Sequence, residues 1–428
     1  MSWRRSGDLA PAKEITMKIT KIRIRNYRSI RDSNDIYLEE KITILAGKNE
    51  SGKTAILHAL TDFDPNREIR SSAKPIEYKT LPEIIVTFSV SNEQINKTLT
   101  SIGIKYAQSN DLNLEISKVY PDKYSLSTNT LEWLTSIIDR HHESLINSAK
   151  KILVDLEKPL REIVDIKQGI PNIPAESNDE AVISNFSDFI KEVMLKYDTL
   201  VHDKNTDKII QPLGQLEKIV SELKRKSSLT TEFINAIKKL IPTFIYFDSF
   251  DSLSPYELPL NEVDTKQAAK DFFTIAGIDL AYLTNPNTTL QEKRNDLAGK
   301  STVITGDFLD YWAQDRVELM ASLDANNVIF GFREGDKSEE FTMEQRSKGF
   351  QWYLSFYMQL KLHQGSKQKY LLIDEPGLYL HAKAQMDVLK VLEARSADIP
   401  IIFSTHSPYL IEYDKLFRVV NSTRKCNG

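Results

Sequence analysis

The chain lacks several things. It has one cysteine, Cys426, so an intrachain disulfide framework is excluded and a reducing compartment, the cytoplasm, is expected. No stretch approaches about 20 apolar residues, so no segment reads as a membrane-spanning helix and no membrane partner is expected. There is no surplus of positive charge: 56 Lys and Arg against 60 Asp and Glu give a formal net charge of −4, without the global basic signature of nucleic-acid binding. Zinc chemistry finds no support either, because His141-His142-Glu143 lacks the i, i+4 histidine spacing and no cysteines assist. What remains is an ordinary globular composition, 41% hydrophobic and 27% charged over 428 residues, enough for two or three structural units.

Against that background one octet stands out. Gly47-Lys48-Asn49-Glu50-Ser51-Gly52-Lys53-Thr54 fits the phosphate-loop pattern G-x-x-x-x-G-K-[ST]. Ile42 to Ala46 before it reads as a buried strand and Ala55 to Leu60 after it as the start of a helix, which is the context the motif needs. Gly47 and Gly52 let the backbone curl so that N–H groups converge on phosphate oxygens at a helix N-terminus. Lys53 is expected to reach the β- and γ-phosphates of ATP, and the Thr54 hydroxyl to ligate Mg²⁺.

Around this motif the chain reads as α/β. Residues 1–16 look like a leader or extension, with Met17 the expected natural start. Lys18 to Arg25 has an edge-strand pattern with basic residues outside. Tyr37-Leu38 and Glu83 to Val90 add strands, giving an N-terminal part over 17–125. Residues 126–242 change to helical spacing (Phe186, Phe189, Ile190, Val193; Leu216, Ile219, Val220, Leu223), with a polar loop at Gly169 to Glu180 and a basic helix end at Lys224-Arg225-Lys226. Pro242 to Phe247 reads as a returning strand that opens the C-terminal part, 243–428. Helices are expected to about 324, then a hairpin of Asn327–Phe332 and Glu340–Thr342 around Glu334-Gly335-Asp336.

The C-terminal part supplies the rest of the chemistry. Tyr370-Leu-Leu-Ile-Asp-Glu-Pro376 is an apolar strand ending in two acids, as a Walker B element requires: Asp374 to hold Mg²⁺ and Glu375 to polarise the attacking water. Pro400 to Pro408 is a strand ending at His406. By itself that histidine is a structural feature; after a strand ending in two acids that lie about 320 residues past the phosphate loop, it reads as a sensor of the γ-phosphate. Arg346-Ser-Lys-Gly-Phe-Gln351 precedes an amphipathic helix (Trp352, Leu354, Phe356, Met358, Leu360). Ser347 and the Gly349 amide there form a second anion site or a plain helix cap.

These segments, with Ile24-Arg-Asn-Tyr-Arg-Ser-Ile30, resemble in order and kind an ABC-type ATPase of the RecF/SMC class, specifically the OLD-like (overcoming lysogenization defect) group. The resemblance covers nearly the whole chain from Met17. It implies an α/β ABC-type P-loop ATPase head with a mixed central sheet and a large inserted helical region. It implies a nucleotide-driven switch in which ATP is sandwiched between two heads of a homodimer or higher homo-oligomer, with Ser347 and Gly349 of one head facing the ATP of the other. Glu375, His406 and Lys53 are then the catalytic groups. Gln94 is a candidate for the family's Q-loop. Roles in phage defence or in DNA repair and maintenance follow from the resemblance, with DNA and a nuclease effector as partners. DNA contact is expected through Lys21, Arg23, Arg25, Arg28 and Arg31. Many OLD-like proteins continue into a Toprim nuclease domain. Here 22 residues follow His406 and the Asp-x-Asp, Asp62-Phe63-Asp64, ends the phosphate-loop helix, so this chain is not expected to cut DNA alone. The competing readings are an ATPase fragment of such a nuclease, a nucleotide-bound scaffold with negligible turnover, and a transporter ATPase subunit, which the helical insert does not suit.

Overall fold

The computed structural model describes residues 17–75, 80–163, 171, 179–197, 207–247, 256–309, 316–335, 339–362 and 368–421. The expected leader, most of the expected 169–180 loop and Asp336 lie outside them. The chain divides into two compact units. The first takes the residues up to Val86, Lys118–Lys123 and Ile241 onward; the second takes Thr87–Ser117 and Tyr124–Leu240.

In chain order, β1 (Met17–Tyr27) is followed by β2 (Ile30–Asp32), β3 (Ile36–Tyr37), β4 (Ile42–Ala46), α1 (Lys53–Asp62) and β5 (Glu83–Val90). Then come α2 (Asn92–Ser101), β6 (Leu112–Val119), β7 (Lys123–Leu126) and four helices: α3 (Thr128–Ile163), α4 (Asp179–Tyr197), α5 (Asp207–Lys224) and α6 (Lys226–Lys238). The chain continues through β8 (Thr243–Phe247), β9 (Glu257–Pro259), α7 (Gln267–Ala276), α8 (Leu280–Thr284) and α9 (Leu290–Leu309). It ends with β10 (Val317–Asp324), β11 (Asn327–Glu334), β12 (Glu340–Phe341), α10 (Lys348–Leu362), β13 (Lys369–Ile373), α11 (Ala382–Arg395), β14 (Ile401–Thr405) and β15 (Val419–Asn421).

The sheet that matters for the site has the order β15-β4-β14-β13-β8, and every pairing in it is parallel. β4 and β14 are buried at every position, the signature of parallel strands covered on both faces. Antiparallel pairing is found elsewhere: β2 and β3 on β1, and β9, β10 and β12 in the β11 sheet. The expected mixture of parallel and antiparallel pairings is therefore present.

Three expectations need correction. β1 is not an edge strand. β2 and β3 pair with it, and β5 follows it in the order β2-β1-β5-β6-β7. Its inward residues, Met17, Ile19, Ile22, Ile24 and Tyr27, slip out of strict alternation twice. Helices do not run to 324: Val317–Asp324 is β10, which pairs with β11 along its whole length. Glu, Leu, Met and Ala there favour helix intrinsically, but Val317, Leu319, Ala321 and Leu323 alternate into the core and pairing overrides propensity. The helix after Arg346 is not amphipathic: α10 is buried from Gly349 to Met358, with Trp352 stacked on Phe356 at 5.2 Å.

α1 is held at both ends. Its N-terminus carries the phosphate loop. At its C-terminal end the fully buried Lys118 ammonium donates to the carbonyls of Asp62 at 2.9 Å, Asp64 at 3.0 Å and Arg67, and pairs with Asp122 at 3.0 Å. A cation there complements the helix dipole and satisfies terminal carbonyls. In the second unit, α3, α4 and α5 share a core that includes Leu156, Phe186, Val193, Leu216 and Val220. Lys224 ends α5. Arg225 there is engaged by Glu222 and Glu232, and Lys226 by Asp139, so these cations are paired within their own unit.

Candidate functional site

The parallel sheet brings the distant motifs together. β4 and β14 lie in register, Ala46 opposite Thr405, and β14 and β13 likewise, Phe403 opposite Ile373. The phosphate loop follows β4, the two acids follow β13 and His406 follows β14, so all three emerge at the carboxyl ends of adjacent parallel strands. That edge is where open α/β sheets place their ligands.

Residues 47–52 form the loop. Lys48, Asn49 and Glu50 are exposed, and the Ser51 N–H donates to the Lys48 carbonyl at 3.2 Å. Gly52, with φ +98°, makes the turn into α1 in a conformation other residues rarely adopt. Lys53 is only 5% exposed. Its ammonium donates to the carbonyls of Gly47 at 2.9 Å and Lys48 at 3.1 Å, and lies 3.6 Å from Glu375 Oε1.

The acids are held from several sides. The Thr54 hydroxyl donates to Asp374 Oδ1 at 3.2 Å, and the Ser404 hydroxyl to the same oxygen at 2.5 Å. The Tyr246 hydroxyl donates to Asp374 Oδ2 at 3.2 Å. Glu375 has φ +49°, a left-handed backbone uncommon outside glycine, and such conformations concentrate at functional sites. Its N–H donates to Ser404 Oγ at 2.9 Å. Its carboxylate Oε2 lies 2.8 Å from His406 Nδ1 and accepts the His406 backbone N–H at 3.2 Å. Hence Lys53, Thr54, Asp374, Glu375 and His406 form one connected cluster. Its donor set suits a hard divalent cation beside a polyphosphate: a hydroxyl and a carboxylate in contact, next to a nearly buried ammonium.

Ser347 and Gly349 stand apart from this cluster. Ser347 Oγ accepts the Phe350 N–H at 3.2 Å and so caps α10 in its own chain. Among the described residues no hydrogen bond or ion pair joins Ser347 or Gly349 to Lys53, Thr54, Asp374, Glu375 or His406. Gly349 instead packs on the segment after the acids: a Cβ there would lie 2.5 Å from Leu380 Cδ2, and a Cβ on Gly377 would lie 3.2 Å from Leu380 Cδ1. Gln351 Nε2 fixes the turn by donating to the carbonyls of Met343 and Arg346, both at 2.9 Å. Gln94 lies in the first turn of α2, its N–H donating to Ser91 Oγ at 3.3 Å.

Three residues of the cluster escaped the motif reading. Ser404 lies in the strand that ends at His406, at a position to which no motif assigns a role. Tyr246 reads in sequence only as part of a strand. His58, one helical turn beyond Thr54, stacks against Tyr246 with ring centroids 4.6 Å apart. Burial, with Arg70 and Arg28 nearby, pushes the His58 pKa down to about 4.

The basic opening strand has less to offer a polyanion than its composition suggests. Lys21 pairs with Asp35, Arg23 with Asp32, and Arg25 with Glu83 and Asp32. Asp62 is 2% and Asp64 also 2% exposed. Asp62 is engaged by Tyr27 and Arg70 rather than open to metal. No helix among the described residues is long and apolar enough to cross a membrane.

Comparison with known proteins adds the following. A segment of 119 residues is 31% identical to an uncharacterized protein of Methanocaldococcus jannaschii, covering 26% of this chain and spanning 31% of that protein's length. Among solved structures the chain is similar to the Smc head domain with an extended coiled coil from Pyrococcus furiosus, bound there to the C-terminal domain of ScpA. That match has 14% identity and a TM-score of 0.38, and covers 92% of this chain and 91% of that one. It is also similar to the SMC head domain of Thermotoga maritima, at 8% identity and a TM-score of 0.35 over 95% and 97% of the two chains. The family model described as an AAA ATPase domain matches residues 17–411, and the chain belongs to that ATPase family.

Proposed function

We propose that the chain binds Mg-ATP in the cleft at the carboxyl ends of β4, β13 and β14 and hydrolyses it. The observation that carries this reading is the convergence of Lys53, Thr54, Asp374, Glu375 and His406 in one hydrogen-bonded cluster from segments about 320 residues apart. The backbone of Gly47, Lys48, Asn49, Glu50, Ser51 and Gly52 cradles phosphate, and Lys53 exchanges its carbonyl partners for phosphate oxygens. Thr54 and Asp374 hold the metal. The ion, when bound, neutralises phosphate charge. Glu375 takes the proton of the attacking water, and His406, hydrogen-bonded to it, orients that carboxylate.

The finer reading is a head of the ABC type in the RecF/SMC class, of OLD-like kind. In it Ser347 and Gly349 complete the ATP site of a second copy, so ATP joins two heads and hydrolysis parts them. That they lie outside the cluster of their own chain supports a role in the partner's site. The domain reading is an ATPase assembled from 17–125 and 243–428 with a helical insertion over 126–242. The cellular role is a cytoplasmic switch in phage defence or DNA maintenance that controls a nuclease effector. DNA contact is not assigned to β1, whose cations are already paired.

The test is phosphate release with Mg-ATP, with and without duplex DNA, together with molar mass in solution. Wild type is expected to turn over and to dimerise with ATP. Ser347→Arg and Lys53→Ala are each expected to be inactive alone, and their mixture to regain up to one active site per dimer. Absence of nucleotide binding by the wild type overturns the whole reading. Activity of Ser347→Arg alone overturns only the shared site.

A further inference from the structure

The two oxygens of Asp374 are gripped from the two strands that flank it. Ser404 at the end of β14 donates to Oδ1 at 2.5 Å; Tyr246 on β8 donates to Oδ2 at 3.2 Å. The grip from β8 has a chain of residues behind it. His58 Nε2 lies 3.4 Å from the Tyr246 hydroxyl, and His58 Nδ1 lies 2.6 Å from the Arg70 guanidinium. Arg70 is anchored in turn by Asp62, at 2.9 Å through Nε and 2.7 Å through Nη2, and Asp62 accepts the Tyr27 hydroxyl at 2.6 Å.

The chemistry of these groups sets the direction of every bond. A guanidinium can only donate, so His58 Nδ1 must accept. The neutral ring then carries its one proton on Nε2, facing the Tyr246 oxygen. That oxygen accepts from His58, which leaves its own O–H to point at the Asp374 carboxylate. A reversed chain would set two donors against each other at His58 Nδ1. The lone pair that fixes this order is retained because His58 resists protonation well into the acid range.

We propose that Tyr246, oriented by His58 and Arg70, is a positioning residue that sets the Asp374 carboxylate for the metal, a second support independent of the phosphate-loop and Walker motifs. The proposal rests on the Mg-ATP reading above. α1 then reaches Asp374 twice: directly through Thr54, and through Tyr246 from His58 one turn later. Outer groups that orient a metal-binding carboxylate are commonly worth about 10–100-fold in metal affinity, and a single tyrosine hydroxyl belongs at the lower end, about tenfold.

The experiment titrates the full chain with a fluorescent ATP analogue, in Mg²⁺ and in EDTA. The ratio of the two affinities is the metal-dependent gain. Tyr246→Phe keeps the ring and its packing on His58 and loses only the donor. It is expected to cut the gain about tenfold and raise the Mg²⁺ concentration for half-maximal binding, with the affinity in EDTA unchanged. His58→Leu is expected to act in the same direction. His58→Gln, whose amide offers one acceptor and one donor, is expected to recover part of the loss. An unchanged gain in folded Tyr246→Phe overturns the proposal and leaves the nucleotide site standing. Equal losses in Mg²⁺ and EDTA also overturn it, because they mark a general structural role. A wild type that binds the analogue in neither condition overturns the site reading itself, and the proposal with it.

Discussion

Replacing Glu375 by glutamine tests the chemistry most directly, because the change removes a charge and little else. Glu375 Oε1 lies 3.6 Å from the Lys53 ammonium, and Oε2 lies 2.8 Å from His406 Nδ1. Glutamine fills the same volume and keeps one acceptor, but it cannot take a proton from water. Loss of a positioned general base costs about 10²–10⁴ in rate. In barrier height that is about 3–5 kcal/mol. Binding is expected to move the other way. A carboxylate 3.6 Å from an ammonium attracts it by about 4–5 kcal/mol in an effective dielectric near 20, before solvation is counted. Phosphate must compete with that carboxylate for Lys53. Solvation of the free carboxylate offsets most of the attraction, so a net gain of about 1 kcal/mol in ATP affinity is expected, roughly fivefold. Single-turnover phosphate release and dissociation of a fluorescent ATP analogue read the two effects separately. Turnover within about threefold of wild type refutes the assignment of Glu375 as base. Slow turnover with weakened ATP binding refutes the electrostatic part.

Further expectations concern the scaffold around the site. Lys118→Met removes the buried ammonium shared by the carbonyls of Asp62, Asp64 and Arg67 and is expected to cost about 3–5 kcal/mol in denaturant unfolding; a loss under about 1 kcal/mol contradicts the capping role. Gly349→Ala drives a methyl against Leu380 and is expected to cost about 1–3 kcal/mol; an unchanged unfolding midpoint shows that Leu380 moves aside freely. His58 has a folded pKa near 4 against an ordinary 6.5, held down by burial and by Arg70 and Arg28 against the opposing pull of Asp374 and Asp62. The unfolded chain therefore takes up a proton first. Stability contributed by neutral His58 is complete above about pH 6.5 and falls as pH drops toward 4, by about 1–2 kcal/mol after discounting for partial exposure. Unfolding of His58→Gln between pH 7 and 5 is expected to lack this component, and an identical pH slope in wild type and variant counts against it.

How much of this was legible beforehand depended on the range over which each signal acts. The phosphate loop, the two acids and His406 each end a short apolar strand, and an apolar run closed by a polar tip is visible in any window of ten residues. β5 was read with its observed bounds because its inward positions alternate without a slip. β10 was missed because Glu318, Leu319, Met320 and Ala321 favour helix, and the information that makes them a strand lies in β11. Lys118 carries no signal in the sequence, since its carbonyl partners lie 51 to 56 positions earlier. Tyr246 and His58 carried no signal at all: their meaning comes from Asp374, which lies 128 positions beyond Tyr246.

The strand order explains why the site resists a purely local reading. β4, which delivers the phosphate loop, is flanked in the sheet by β14 and β15, both from the last part of the chain. The N-terminal strand is therefore enclosed by C-terminal ones, and the loop cannot meet Asp374, Glu375 or His406 until β13 and β14 have paired beside it. Everything between β4 and β8 in sequence has to be accommodated by that closure. The entropic cost of closing a chain rises only as the logarithm of its length, so an insertion of well over a hundred residues adds little to it. The sheet edge can thus keep its geometry while the intervening segment diverges. Nearest-strand contacts such as Tyr246 to Asp374 and Ser404 to Asp374 then do locally what sequence proximity cannot. They tie the acids to both neighbouring strands, so the orientation of the carboxylate is a property of the assembled sheet rather than of the motif that contains it.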